Sequence, residues 1–151
     1  MRYGKVRDML DQVREFHGQL SDYYHQLSES ADRQRIKLIL DHMSDHEKHL
    51  QESLAEYEED ASEQVMETWV DCKHCNDVLA TCERIPIAQE TSVEGVITAT
   101  MDIDSCLIRF YREVAEKVDS ERIREVFNNL VDMEEGELRR LALDALQIRD
   151  I

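Results

Sequence analysis

The sequence superimposes on itself. Shifted by 87 residues, positions 17–50 align with 104–137 without a gap. Eight of the 34 pairs are identical: Leu20/Leu107, Tyr24/Tyr111, Glu29/Glu116, Asp32/Asp119, Arg35/Arg122, Ile36/Ile123, Asp45/Asp132 and Glu47/Glu134. Similar pairs such as Tyr23/Phe110, Leu27/Val114, Leu40/Phe127 and Met43/Leu130 fill the intervals. A gapless repeat of this length implies one supersecondary unit made twice, so the fold must let two copies cover each other's apolar faces. Within each copy, apolar residues recur at three- and four-residue steps, the period of a helix. The pattern breaks at Asp32 and at Asp119-Ser120, side chains suited to capping a helix N-terminus. Each copy therefore reads as a helix, a short turn and a second, antiparallel helix.

The expected helices are 4–30, 33–60, 90–118 and 120–148, forming hairpins 4–60 and 90–148 within a single domain, 1–151. Four glycines and one proline suit long helices, and 151 residues suffice for one packed core. The expectation is an all-α four-helix bundle, because neither hairpin can bury its apolar stripe alone. Between the hairpins lies a crossover connector, 61–89. It is expected to carry a short helix with Val65, Trp69, Cys72, Cys75, Leu79 and Cys82 on one face, ending at Pro86. That face should be covered by the bundle or by a second subunit, and a homodimer is the expected form.

Thirty-four acidic against 18 basic residues give a formal charge of −16, which repels nucleic-acid phosphate and anionic membrane surfaces. With no apolar stretch long enough to span a bilayer and no leader pattern, the expected location is the cytoplasm. The four cysteines are accordingly expected to be reduced, with buried structural thiols at Cys72, Cys75 and Cys82. The C-x-x-C spacing keeps redox or metal chemistry open.

Chemistry enters where charge interrupts the apolar stripes. The first helix runs Leu10, Val13, His17, Leu20, Tyr24; the second Leu40, Met43, Glu47, Leu50, Leu54; the third Ile97, Thr100, Asp104, Leu107, Tyr111; the fourth Phe127, Leu130, Glu134, Leu141. The repeat superimposes His17 on Asp104 and Glu47 on Glu134. One ionisable group per helix thus stands at equivalent height, and the four are expected to converge in one polar cavity. Burying such groups costs several kcal/mol in practice unless they pair, hydrogen-bond or bind a metal.

In these features the sequence resembles the ferritin-like superfamily, and its rubrerythrin-like branch most of all. Both His17 to Tyr24 and Asp104 to Tyr111 keep the family's seven-residue step between a ligand and a tyrosine. Asp45-His-Glu-Lys and Asp132-Met-Glu-Glu align with its two Glu-x-x-His motifs. The resemblance implies a metal site at the matching positions, His17, Glu47, Asp104, Glu134 and Glu137, with the sixth position occupied by Leu50. Iron, manganese or zinc suits such imidazole and carboxylate donors, and oxygen or peroxide chemistry or metal handling would follow. The side chains depart from the family pattern: His replaces Glu at 17 and Glu replaces His at 137. The competing reading is a degenerate, non-catalytic helical module, its core groups joined in an ion-pair network with Tyr24 and Tyr111 donating to the acids, acting in dimerisation or partner binding.

Two further groups carry weaker signals. His42, His46 and His49 with Asp45 occupy an edge about 100° from the core stripe and are read as a solvated face; in an alternative register His46 and His49 form the ligand pair. Cys72-Lys-His-Cys75 with Cys82 offers too few ligands for a structural zinc site.

Overall fold

The computed structural model describes residues 4–84 and 92–149. These residues form four long helices and two short ones: α1 Val6–Ser30, α2 Gln34–Asp60, α3 Glu63–Met66, α4 Lys73–Glu83, α5 Val93–Lys117 and α6 Glu121–Arg149. The residue-90 boundary and Pro86 lie outside the described residues. Both ends of α5 fall 87 residues after those of α1, and α6 begins 87 residues after α2.

The connection between α1 and α2 is so short that the helices must return along one another. Contacts record the antiparallel register: Ser28 Oγ meets Asp41, Ser21 Oγ donates to Ser44 O at 2.8 Å, and His17 meets Glu47. α5 and α6 pair in the same way, and α2 touches both. The stripes read from the sequence form the core, with Leu10, Val13, Met43, Leu50, Leu107 and Phe127 all buried. No described helix is long and apolar enough to cross a membrane.

The helix starts differ from expectation at one point. Ser120 Oγ accepts the Ile123 N–H at 3.3 Å and Ser92 Oγ accepts the Gly95 N–H at 3.0 Å, as capping residues do. Asp32 does not cap α2. The N-cap is Arg33, which makes no side-chain cap bond, so the helix begins two residues after Asp32.

The connector departs more strongly. Two short helices replace the single expected one, and between them residues 68–70 run extended beside the chain start. The Val6 N–H donates to Thr68 O at 3.0 Å and the Val70 N–H to Gly4 O at 2.9 Å, with Lys5 and Trp69 forming an antiparallel bridge. Gly4 adopts φ 106°, open to glycine at little cost, as it enters this pairing. Extended backbone alternates its side chains, so Val70 turns inward and Trp69 outward, where it is 49% exposed. The bundle therefore does not cover Trp69: that expectation assumed helical geometry where the chain is extended. The Lys5 ammonium lies 5.6 Å from the indole centroid.

Cys72, Cys75 and Cys82 are buried as expected, and α4 packs on α5. They are not free thiols. Cys72 is bridged to Cys75, and Cys82 to Cys106 of α5, with Cα separations of 5.3 and 5.5 Å. Compartment and composition suggested reduced cysteines, but the first turn of α4 holds Cys72 and Cys75 within bridging distance, and packing α4 on α5 does the same for Cys82 and Cys106.

Candidate metal centre

The four stripe-interrupting residues are all fully buried. α1 supplies His17, α2 Glu47, α5 Asp104 and α6 Glu134. His17 lies between two acids, with Nδ1 3.1 Å from Glu47 Oε2 and Nε2 3.0 Å from Glu134 Oε1. A neutral imidazole can donate from only one nitrogen, so two ionised partners require the imidazolium. Burial lowers the pKa of His17, but the charges of Glu47 and Glu134 overcome it and hold the group well above its ordinary value. Burial, together with the charge of Asp104, raises Glu47 despite His17.

His46 joins this cluster. Its Nε2 lies 2.8 Å from Asp104 Oδ2, and its side chain is 5% exposed. Burial lowers its pKa, yet the hydrogen bond and charge of Asp104 bring it up to about 9. Burial raises Asp104 in turn, against the pull of His46. Reading His46 as solvated was therefore wrong. α2 packs against α1 on one side and α5 and α6 on another, so its buried arc is wider than one stripe. The signal was present in Ile39, Met43, His46, Leu50 and Leu54, which step by four, three, four and four residues through the sequence.

Glu137 sits at the rim. Its Oε1 is 3.0 Å from His49 Nε2, and its Oε2 is 4.0 Å from His46 Nδ1. With His42, His46, His49 and Asp144 it lines an open pocket of about 220 Å³ between α2 and α6. His46 thus has one ring nitrogen toward the buried Asp104 and the other toward this pocket.

The tyrosines split. Tyr111 donates to Glu134 Oε1 at 3.3 Å, whereas Tyr24 reaches Thr100 Oγ1 at 2.6 Å. Thr100 gives its own proton to Val96 O at 3.0 Å, so Tyr24 is the donor in that pair. Tyr24 was expected to serve an acid, but Thr100, one turn before Asp104 on α5, intercepts it. Burial, and the charge of Glu134 next, raises Tyr111 well above its ordinary value, keeping it a neutral donor.

Pairing leaves one oxygen of each core carboxylate without a partner: Glu47 Oε1, Asp104 Oδ1 and Glu134 Oε2 are buried and unbonded. One ligand atom each from His17, Glu47 and Asp104 lies within 4.8 Å of the others. Buried acceptors of this kind are costly unless a proton, water or cation meets them.

The backbone matches a crystal structure from Thermotoga maritima described as a ferritin-like diiron-carboxylate protein, with a TM-score of 0.57, covering 94% of this chain and 95% of that one. The fold is ferritin-like. At 15% sequence identity the likeness is one of backbone, and it extends over nearly the whole chain. No protein-family profile and no curated protein matches the sequence. Within the ferritin-like frame the polar cluster is contributed by all four long helices, with His46 supplying a second imidazole absent from the expected set.

Proposed function

We propose that this chain is a metal-binding ferritin-like protein of rubrerythrin-like type, holding one or two ions of iron, manganese or zinc in its core. The observation that carries this reading is the trio of orphaned carboxylate oxygens on Glu47, Asp104 and Glu134, buried beside two imidazoles. These donors fit a divalent cation: carboxylate and imidazole are its ordinary ligands, and a cation would meet acceptors that nothing else satisfies. His17, Glu47, Asp104 and Glu134 would hold the metal, with His46 as a second imidazole and Glu137 at the rim. Bound iron or manganese would supply redox chemistry toward oxygen or peroxide, and zinc would supply Lewis acidity alone.

The chain's own groups prepare the site. Tyr111 fixes one oxygen of Glu134, and His46 fixes one oxygen of Asp104, leaving the second oxygen of each to face a ligand. Surrounding apolar side chains exclude water and strengthen each charge interaction. Because an imidazole must lose its proton to ligate, metal entry would release protons from His17 and His46.

Elemental analysis of protein prepared without affinity tag or chelator tests the proposal. The expected result is stoichiometric metal, lost on changing Glu47 or Glu134 to Ala. Protein that is metal-free both as purified and after anaerobic incubation with ferrous or manganous ion would overturn it. The second reading is a non-catalytic module whose ion pairs replace the metal. It is favoured by the engagement of both His17 nitrogens and by the apolar, fully buried Leu50 at the sixth ligand position.

The proposed form is a homodimer. Among the described residues Leu143 and Leu146 on α6 are the most exposed large apolar side chains, at 65% and 55%, ahead of Trp69 and Leu38, and α6 is the surface proposed for self-association.

A further inference from the structure

The C-x-x-C motif has no part in the metal cluster, and its geometry is that of a reactive pair. Cys72 is the N-cap of α4, an 11-residue helix, and its Sγ accepts the Cys75 backbone N–H at 3.2 Å. An amide pointing at that sulfur from the first turn of a helix also stabilises negative charge on it when the bridge opens. The two cysteines differ in depth. Both are buried, but Cys72 keeps 6% exposure whereas Cys75 keeps none, so an incoming group approaches from the Cys72 side. Lys73 and His74, between them, are exposed.

The second bridge makes the contrast clear. Cys82–Cys106 spans 24 residues and ties α4 to α5, so it holds an element in place. Cys72–Cys75 spans three residues, within one turn, and constrains little that the helix does not already constrain. A bridge with small structural value, an outer sulfur less enclosed than its partner and a donor for the Cys72 thiolate suits exchange better than stapling.

We propose that Cys72 and Cys75 form a thiol–disulfide exchange site, with Cys72 the sulfur that meets an external dithiol. In the reductive direction a thiolate of the dithiol attacks Cys72 Sγ. A mixed disulfide forms, and the Cys72–Cys75 bond breaks. Cys75 leaves as thiolate and takes a proton from water. The second thiolate of the dithiol then attacks its own mixed-disulfide sulfur, closing the oxidised cyclic disulfide and releasing Cys72 as thiolate. Two electrons pass from the dithiol to the protein, and the reverse sequence oxidises a substrate dithiol. The Cys82–Cys106 bridge keeps α4 docked throughout. The reaction is independent of metal in the core.

The test uses the full chain, purified without reductant and equilibrated in mixtures of reduced and oxidised dithiothreitol. Samples are then quenched with acid, alkylated and read as peptides by mass spectrometry. Cys72–Cys75 should open and reclose reversibly at dithiol concentrations at least about tenfold below those that open Cys82–Cys106, with the helical circular dichroism unchanged. With glutathione disulfide, Cys75→Ser should form a mixed disulfide at Cys72, while Cys72→Ser should form one at Cys75 at least about tenfold more slowly. Opening of both bridges only together with loss of helical signal would overturn the proposal. So would equal trapping rates in the two variants, or a reduced chain that oxidised dithiothreitol does not convert to the Cys72–Cys75 bridge.

Discussion

His17 carries two acids and has no other support, so its removal is the sharpest local perturbation available. In metal-free protein, His17→Ala leaves Glu47 and Glu134 buried without the cation between them. The expected loss is about 3–5 kcal/mol in urea denaturation, the usual cost of orphaning a buried charge. An unchanged midpoint would show that the carboxylates are already protonated. His46, like His17, makes stability depend on pH. Its folded pKa of about 9 lies above the ordinary value of 6.5, raised by Asp104, with Glu47 and Glu134 adding to it and Glu137 4.0 Å from its other nitrogen. Its contribution is complete below pH 6.5 and is lost as pH rises through about 9, amounting to at most about 3 kcal/mol. The raised carboxyls of Glu47 and Asp104 act in the same direction, since they also favour the protonated fold. Metal-free protein should therefore melt at lower temperature at pH 9 than at pH 6.5. Metal-loaded protein should show the opposite trend over that range, because ligation needs neutral imidazole. Calorimetry with and without ferrous ion, under nitrogen, reads the difference.

At the scale of helices, the four long helices α1, α2, α5 and α6 have boundaries within a few residues of expectation where they are described. The reason is that periodicity is a property of the local sequence, and long amphipathic runs leave few alternatives. Caps are less legible, because the residue that caps depends on where the helix begins. Ser120→Ala should cost about 1 kcal/mol, whereas Asp32→Ala should change stability little, although the repeat aligns Asp32 with Asp119, beside Ser120. Equal losses in the two variants would show that α2 begins earlier. The connector was misread for a related reason. Val65 to Cys82 fits a helical face on paper, but residues 68–70 exchange helical bonds for pairing with Gly4 and Val6, a partner more than 60 positions away that periodicity cannot reveal.

For the molecule as a whole, the proposed homodimer predicts that light scattering after gel filtration gives twice the chain mass. Replacing both Leu143 and Leu146 with Glu should return the monomer. Wild-type protein that elutes as a monomer at micromolar concentration would remove the proposal. The formal net charge of −16 opposes such association, so the dimer fraction should rise with ionic strength, which screens the repulsion.

By itself the sequence determined the helical class, the long antiparallel pairs and the burial of His17, Glu47, Asp104 and Glu134. Each of these follows from local period and from the 87-residue self-similarity. Tertiary structure decided how the charges pair: His17 bridges Glu47 and Glu134, while Asp104 turns to His46. Those choices depend on which helices become neighbours and on how wide an arc of α2 the bundle covers. It also decided that Tyr24 serves Thr100, that Trp69 faces outward, and that Cys106 on α5 is the partner of Cys82. A helix stripe fixes the direction of a side chain from its own axis, but the atom it meets belongs to another helix, and only packing brings the two together.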